Sequence, residues 1–358
     1  MSSSFVYKIP STRYQGSKRK LLPWLHEHIC YLNFRSVLDL FGGTGVVSYL
    51  FKRAGKSVTY NDYLKFNYFR GKAIIENSQV RLSDDDIVSL LKGAGVGKSF
   101  IADTFQGMYF TDVENEWLDR VIGNIEALNR KYSGTTLEYK KALALYALFE
   151  SCLVKRPFNL FHRANLNLRT SDVKRTFGNK TTWEQPFEKV FLRFIDEVNS
   201  LVFSNGCANI ATNADALAVK NSGYDLVYID PPYFCPKKND GESNYANLYH
   251  FMEGLVNYRV WDNMIDRNTS NLRLKVSGNL WLNKGTAKEN LERLISEFRE
   301  SIIVISYKSP GIPSAEEIRD MLSKYKHNVR MHKKQYSYAL NRSNGNGGKN
   351  LELLAIGY

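Results

Sequence analysis

A short apolar run, Tyr224-Asp225-Leu226-Val227-Tyr228-Ile229, stops at Asp230-Pro231-Pro232-Tyr233, and no other stretch restricts the fold as tightly. Its side chains specify a buried strand, and two consecutive prolines end it because neither can donate to a sheet ladder. A carboxylate is thereby delivered at the C-terminal edge of a strand, where open α/β sheets bind ligands. Acid, fixed carbonyl and aromatic ring then follow within four residues. That set suits a planar base with an exocyclic amine: Asp230 and the Pro231 carbonyl would accept its hydrogens while its ring stacks on Tyr233. A plain strand-ending turn would use the same residues.

A second stretch narrows the choice. Ser36-Val37-Leu38-Asp39-Leu40-Phe41 has a strand pattern, and it meets Gly42-Gly43-Thr44-Gly45 before Val46-Val47-Ser48-Tyr49-Leu50-Phe51 turns helical. Strand, glycine turn and helix open a nucleotide-binding unit: the glycines admit a ligand close to the backbone, and the helix start offers unpaired N–H groups. The spacing is neither the dinucleotide fingerprint nor a phosphate loop. Gly95-Val96-Gly97-Lys98-Ser99 also fails as a phosphate loop, because Lys92 stands where glycine is required and no strand precedes it. The next strand, Ser57-Val58-Thr59-Tyr60, ends in Asn61-Asp62. An acid about twenty residues past a glycine turn can hold a ribose diol, and Asp62 can also cap a helix beginning near Leu64.

Around these motifs the chain divides. Residues 1–13 are polar and loosely held. Tyr14-Gln15-Gly16-Ser17-Lys18-Arg19-Lys20 leads into an amphipathic helix that buries Leu21, Leu22, Trp24, Leu25 and Ile29. Between residues 84 and 205, helical patterns such as 114–128 and 137–153 follow one another without strands, which reads as an inserted domain splitting a unit made of 1–83 and 206–358. The α/β rhythm returns with Asn209-Ile210-Ala211-Thr212-Asn213-Ala214-Asp215-Ala216. After Tyr233, a polar loop over 235–247 could close over a bound base, followed by a helix over 248–258. Ile302-Ile303-Val304-Ile305-Ser306-Tyr307 is a further buried strand, and Ser314 caps a helix. Two β-like stretches, 329–340 and 351–358, close the chain around a flexible 341–350.

The net charge of +13 points to a polyanion such as nucleic acid. Its densest source is Lys155-Arg156-Pro157-Phe158-Asn159-Leu160-Phe161-His162-Arg163-Ala164-Asn165-Leu166-Asn167-Leu168-Arg169, followed by Lys174, Arg175 and Lys180, with Asp172 the only acid in 155–180. Cations interleaved with amides and aromatics can hold phosphates and read base edges, so Lys155, Arg156, Asn159, Arg163, Asn165, Asn167 and Arg169 are expected to contact DNA. A solvated basic face would lack Phe158 and Phe161. His162 has no partner at metal-ligand spacing and reads as a polar contact, with no metal expected. Cys30, Cys152, Cys207 and Cys235 lie far apart and read as reduced thiols. Without a signal peptide or an apolar run of membrane-spanning length, a soluble cytoplasmic protein is expected.

The two strand-ending motifs closely resemble the paired signatures of S-adenosylmethionine-dependent amino-methyltransferases of DNA. Their order, with Tyr14 to Lys18 first, then the glycine turn, a long insertion and Asp230-Pro231-Pro232-Tyr233, is similar to the Dam-like alpha group of adenine DNA methyltransferases. The resemblance implies a Rossmann-like α/β fold with a mostly parallel seven-stranded sheet ending in an antiparallel hairpin. It makes the insertion a target-recognition domain. S-adenosylmethionine would be held by Tyr14, Lys18, Asp39, Phe41, Gly43, Gly45, Asp62 and Asp215, without a metal. Asp230, Pro231 and Tyr233 would act on an adenine flipped out of double-stranded DNA. Gln15-Gly16-Ser17 departs from the double-glycine turn of such enzymes. A cytosine-N4 enzyme, which more often has Ser in place of Asp230, an RNA adenine enzyme and a silent DNA-binding relative are the alternatives. A ring-carbon cytosine enzyme is disfavoured, since Cys235 precedes Pro236 rather than following a proline. A monomer is expected, and a cognate restriction endonuclease is one partner that such an enzyme would have.

Overall fold

The strands form where the sequence alternates or runs apolar: β1 (Ser36–Asp39), β2 (Ser57–Asn61), β3 (Ile210–Thr212), β4 (Leu226–Ile229), β5 (Ile302–Ser309), β6 (Val329–Gln335) and β7 (Leu351–Gly357). The structure is a computed structural model that describes residues 9–95, 97, 99–162, 164, 166–171, 180–232, 234, 244–275, 281, 283–336 and 351–358. The seven strands make one sheet in the order β3-β2-β1-β4-β5-β7-β6. Neighbours among β1 to β5 run parallel, and β7 runs antiparallel to both β5 and β6. This is the α/β, Rossmann-like arrangement with a final hairpin. Pairing at β3 uses only the middle of the expected 209–216 stretch.

Side chains alternate across the sheet with the period of two that a pleated strand imposes. Val37, Tyr60, Tyr228 and Val304 face a large helical layer that includes Leu22–Ile29, Val46–Arg53, Gly134–Val154 and Phe187–Leu201. Leu38, Val227, Ile229 and Ile303 face the helices Ala287–Glu297 and Ala315–Ser323. All four residues of β4 are buried, as expected of a strand covered on both sides. Ser314 caps its helix in a capping box with Glu317. No described helix is long and apolar enough to cross a membrane.

The helices of 84–205 share their core with the sheet. Gly134–Val154 is buried all round along its second half, which only a helix enclosed on several sides can be. Residues after Asp230 complete the same body: Phe105 lies 5.2 Å from Phe251 and 5.1 Å from Trp261 between ring centres. The helix expected over 248–258 is instead two, Tyr245–Leu248 and His250–Val256. The cause is local: the Leu248 carbonyl accepts the Phe161 N–H at 3.0 Å, and Met252 N–H turns to Tyr249.

Tyr60 fixes the glycine turn. Its ring wedges between Gly42 and Gly71, and its hydroxyl donates to the Gly43 and Asn67 carbonyls at 2.8 and 3.0 Å. A Cβ at Gly42 would stand 2.0 Å from the ring, whereas one at Gly43 meets nothing closer than 3.8 Å. Gly42→Ala should therefore destabilise the protein by about 1–3 kcal/mol through overpacking. The measurement is urea unfolding at constant m-value; an unchanged midpoint would show that the ring has room to move.

Candidate active site

β1 and β4 are neighbours at the point where strand order reverses, which opens a crevice beyond their C-terminal ends. Asp39 pairs with Tyr228 across the ladder, and the Leu40 N–H donates to the Tyr228 carbonyl at 3.1 Å. The two motifs therefore end side by side. The cleft between them, with about 940 Å³ of empty space, is lined by Asp39, Phe41 and Gly43 from one motif and Asp230, Pro231 and Pro232 from the other. Asp62 lines it from the end of β2, and Tyr14 and Lys18 close it from the N-terminal segment.

Each lining group is held by its element. Gly43 and Gly45 have φ of +51° and +74°, the left-handed region that favours glycine; Gly43 lines the cleft, whereas Gly45 lies behind it towards Tyr60 and Ile74 and starts the helix Val46–Arg53. Asp62 accepts from the Gly43 N–H and the Leu64 N–H, both at 2.8 Å, so it braces the glycine turn and the following segment while it lines the cleft. Tyr14 stacks on Tyr249 at 4.2 Å and on Tyr245 at 5.4 Å. Asp39 accepts from the Ser48 hydroxyl at 2.6 Å through Oδ2, while its buried Oδ1 meets no well-aligned donor among the described residues; the Phe41 N–H gives the carboxyl further, weaker support. A buried acceptor without a donor is costly, and it suits a ligand that brings one.

Three carboxyls of the cleft titrate above the ordinary range. Burial pushes Asp39 up to about 7 despite the Ser48 hydrogen bond, with Asp230 and Asp62 adding repulsion. Burial raises Asp62 to about 6 against the Leu64 and Gly43 N–H groups. Burial likewise raises Asp230 to about 6; Lys18 opposes it and Glu352 adds to it. Such a site gains most from a cationic ligand.

Not every expected residue takes its expected place. Lys18 lines the cleft as expected but is already paired there with Asp230. Asp215 accepts from the Leu217 N–H and from the Trp281 indole at 3.3 Å; Trp281, not Asp215, lines the cleft. Tyr233 lies outside the described residues, as do Arg163, Asn165, Lys174, Arg175, Cys235 and most of the loop expected to close over a base. Ser48, Tyr245, Tyr249, Trp281 and Glu352 were missed. The Ser48 contact follows from strand-turn-helix geometry, but the others come from distant segments with no local motif. Among the described residues no group of three or more His, Cys, Asp or Glu side chains could hold a metal.

The basic segment needs a larger correction. Lys155, Arg156 and Arg169 are almost wholly buried, so they cannot serve as phosphate contacts. Glu114 pairs with Lys155 at 2.7 Å and with Arg169 through both oxygens. Both cations also donate to the Trp183 carbonyl. Although burial raises the Glu114 carboxyl, its two partners more than offset this and hold it low. Arg156 donates to the Tyr109 and Leu160 carbonyls. Phe161 is core, stacked on Phe251. What this frame exposes is Phe158, 68% accessible, with His162, Asn167 and Leu168; Asn159 is half-buried. Phe158 and Asn159 both have left-handed φ, of 56° and 57°, a strained turn that the buried Arg156 helps to hold. The His162 ring accepts from the Ala164 N–H.

Two measurements test this geometry. Lys155→Ala should leave Glu114 to Arg169 alone and take a buried donor from the Trp183 and Gln185 carbonyls, costing about 1–3 kcal/mol of stability, while the salt slope of DNA binding stays that of the parent; a flatter slope would return Lys155 to the phosphate backbone. Binding of a cationic ligand through ionised Asp39 should weaken by up to about tenfold per pH unit below about 7, as read by calorimetry between pH 8 and pH 5.5. Affinity flat across that range would remove Asp39 from the site.

Against this geometry the comparisons agree. A model of the D12 class N6 adenine-specific DNA methyltransferases matches residues 14–253, from the start of the Tyr14 element to beyond the Asp-Pro-Pro turn. The type II methyltransferase M2.HphI of Haemophilus parahaemolyticus is 26% identical over 324 residues, covering 88% of each chain. The type II methyltransferase M.NlaIII of Neisseria lactamica is 24% identical over 325 residues, 87% of this chain and 88% of its own. The modification methylase StsI of Streptococcus sanguinis is 26% identical over 331 residues, 87% of this chain but 46% of its own. The resemblance to a Dam-like group is thus made specific by a match over most of the chain: the protein belongs to the D12 class of N6 adenine-specific DNA methyltransferases.

Proposed function

We propose that the cleft holds S-adenosylmethionine against the end of β1 and that Asp230 receives an adenine flipped out of double-stranded DNA beside it. The observation that carries this reading is the meeting of Asp39, Asp62 and Asp230 in one cleft at the β1/β4 switch point. The fit of the cofactor rests on the same residues. Asp39 Oδ1 meets no well-aligned donor among the described residues, and the cofactor's ammonium would bring one. The face of Gly43 is open, and Asp62 and Tyr14 flank the place of the ribose and methionine portions. When bound, the cofactor supplies an electrophilic methyl group on a sulfonium.

The chain's own residues supply alignment and polarisation. The adenine amine is a poor nucleophile because its lone pair is shared with the ring. Asp230 and the Pro231 carbonyl accept its two hydrogens and free that lone pair, and Asp230 then takes the proton released from nitrogen. Tyr233 offers the stacking face for the flipped base. Residues 84–205 act as the target-recognition part between the two catalytic parts, 1–83 and 206–358. DNA meets them at the strained turn of Phe158 and Asn159 and at Asn167, with Arg163 and Asn165 supplying cation and amide. The likeness to type II methyltransferases supports work beside a cognate restriction endonuclease, and we propose that the protein does this as a monomer in the cytoplasm.

Asp230→Ala should lower single-turnover adenine methylation by about 10²–10⁴-fold, with cofactor and DNA affinities within a few-fold of the parent. Tyr233→Phe should stay active, and Tyr233→Ala should gain from a mismatch opposite the adenine, where flipping costs less. Parent-like rates for Asp230→Ala would remove this turn from the chemistry. DNA from a methylation-free host expressing the parent should carry N6-methyladenine in one sequence context.

A further inference from the structure

The Lys18 ammonium is shared between two carboxylates. Its Nζ lies 3.1 Å from Asp230 Oδ1 and 2.8 Å from Glu352 Oε1. Lys18 is 3% exposed and Glu352 is fully buried. Glu352 stands on β7, opposite Lys308 of β5 and Lys334 of β6 in register. Ser306, on β5, donates its hydroxyl to Glu352 Oε1 at 2.6 Å. β5 in turn borders β4, the strand that ends at Asp230.

A carboxylate wholly inside a sheet costs several kcal/mol unless it is paired and hydrogen-bonded. Strand pairing does not require one here: β7 otherwise reads Leu351, Leu353, Leu354, Ala355, Ile356. Glu352 meets Lys18 and the Ser306 hydroxyl at hydrogen-bond distance, with Lys308 and Lys334 beside it on the neighbouring strands, and Lys18 links it to Asp230. With Lys18 alone, Asp230 would form a closed, neutral pair whose basicity is spent on the ammonium. With two carboxylates on one cation, the trio keeps a net negative charge and Asp230 is fixed on Oδ1 without being saturated.

We infer that Glu352, oriented by Ser306, is a positioning residue for methyl transfer: it draws part of the Lys18 charge away from Asp230, so that Asp230 is anchored through Oδ1 and remains an open acceptor for the target amine. The inference rests on Asp230 as the acceptor of the adenine amine. Among the described residues, the other titratable groups facing the trio are Lys308 on β5 and Lys334 on β6, both opposite Glu352 in register, Asp39 on β1, Tyr228 on β4 and Tyr336 just past β6; all of them are common to the parent and to the variants below. Asp39 adds negative charge that none of the variants below alters. Tyr228 is neutral, its hydroxyl held well above its ordinary range by burial; burial also raises Tyr336.

The test is the pH profile of single-turnover adenine methylation by the full chain at saturating cofactor and DNA. In the parent, the rate should fall as pH drops through about 6, where Asp230 takes up a proton. Glu352→Gln keeps the shape and removes the charge. Lys18 then turns wholly to Asp230, so the acid limb should move to lower pH by about 1 unit while the plateau rate falls at least tenfold and KM for DNA holds. Lys18→Met should move the limb the opposite way, to higher pH. Ser306→Ala should give a smaller change in the direction of Glu352→Gln, and it decides the matter if Glu352→Gln melts early or loses cofactor binding. Glu352→Gln and Ser306→Ala profiles that superpose on the parent's, while Asp230→Ala is inactive, overturn the role of Glu352 and leave Asp230 in place. An Asp230→Ala protein that methylates at the parent rate overturns both.

Discussion

The register of β1 against β4 is the constraint on which the site depends. Because Asp39 lies opposite Tyr228, the glycine turn and the Asp-Pro-Pro turn leave the sheet at the same level and face one crevice. Neither motif could be displaced by one residue without turning its acid to the other face of the sheet, since the side-chain period is two. The Tyr60 wedge then fixes the turn from behind, and Asp62 ties it to the end of β2. Binding and chemistry therefore stand on rigid strand ends rather than on free loops, which is how short polar motifs can be held at hydrogen-bond accuracy.

The exposed turn at Phe158 and the cleft are joined by a short chain of contacts. The Phe161 N–H bonds the Leu248 carbonyl at the break between two helices, and the first of those helices carries Tyr245 into the cleft. Tyr249, at that break, stacks on Tyr14 and accepts the Gln15 N–H at 2.7 Å. Arg156 holds the carbonyl of Tyr109, whose hydroxyl bonds the Asn271 carbonyl and sits 3.0 Å from the buried His250 ring. The exposed turn at Phe158 thus stands on a framework continuous with the Tyr14 side of the cleft. A force on that turn has a packed route to Tyr14 and Tyr245.

How far the sequence could be read follows from the range of the interactions. Strand pattern and turn chemistry are local, so all seven strands and the pairing of the two motifs were legible, and Asp39, Phe41, Gly43, Asp62 and Asp230 fall in one cleft as expected. The basic segment was misread because its decisive partner, Glu114, lies far upstream. Alternation of cations with aromatics describes a DNA face and a buried ion-pair frame equally well; only the tertiary fold decides between them, and here Glu114 took both Lys155 and Arg169. Lys18 shows the same limit. Its motif placed it at the cleft, but nothing near it in sequence announces Glu352 on the last strand.

The charge of the molecule is divided between outside and inside. The chain carries +13 overall, yet the cleft gathers Asp39, Asp62 and Asp230, with Lys18 already shared by Asp230 and Glu352. A long-range cationic field attracts a polyanion at a distance, because it acts on the sum of charges. At contact range the local excess of carboxylates decides, and it favours a small cation while rejecting a phosphate. Burial sharpens the contrast, since it raises each of these acids and leaves them short of positive charge until a ligand supplies it. A basic protein of this kind can attract a polyanion at long range and still repel its phosphate backbone from the acidic cleft.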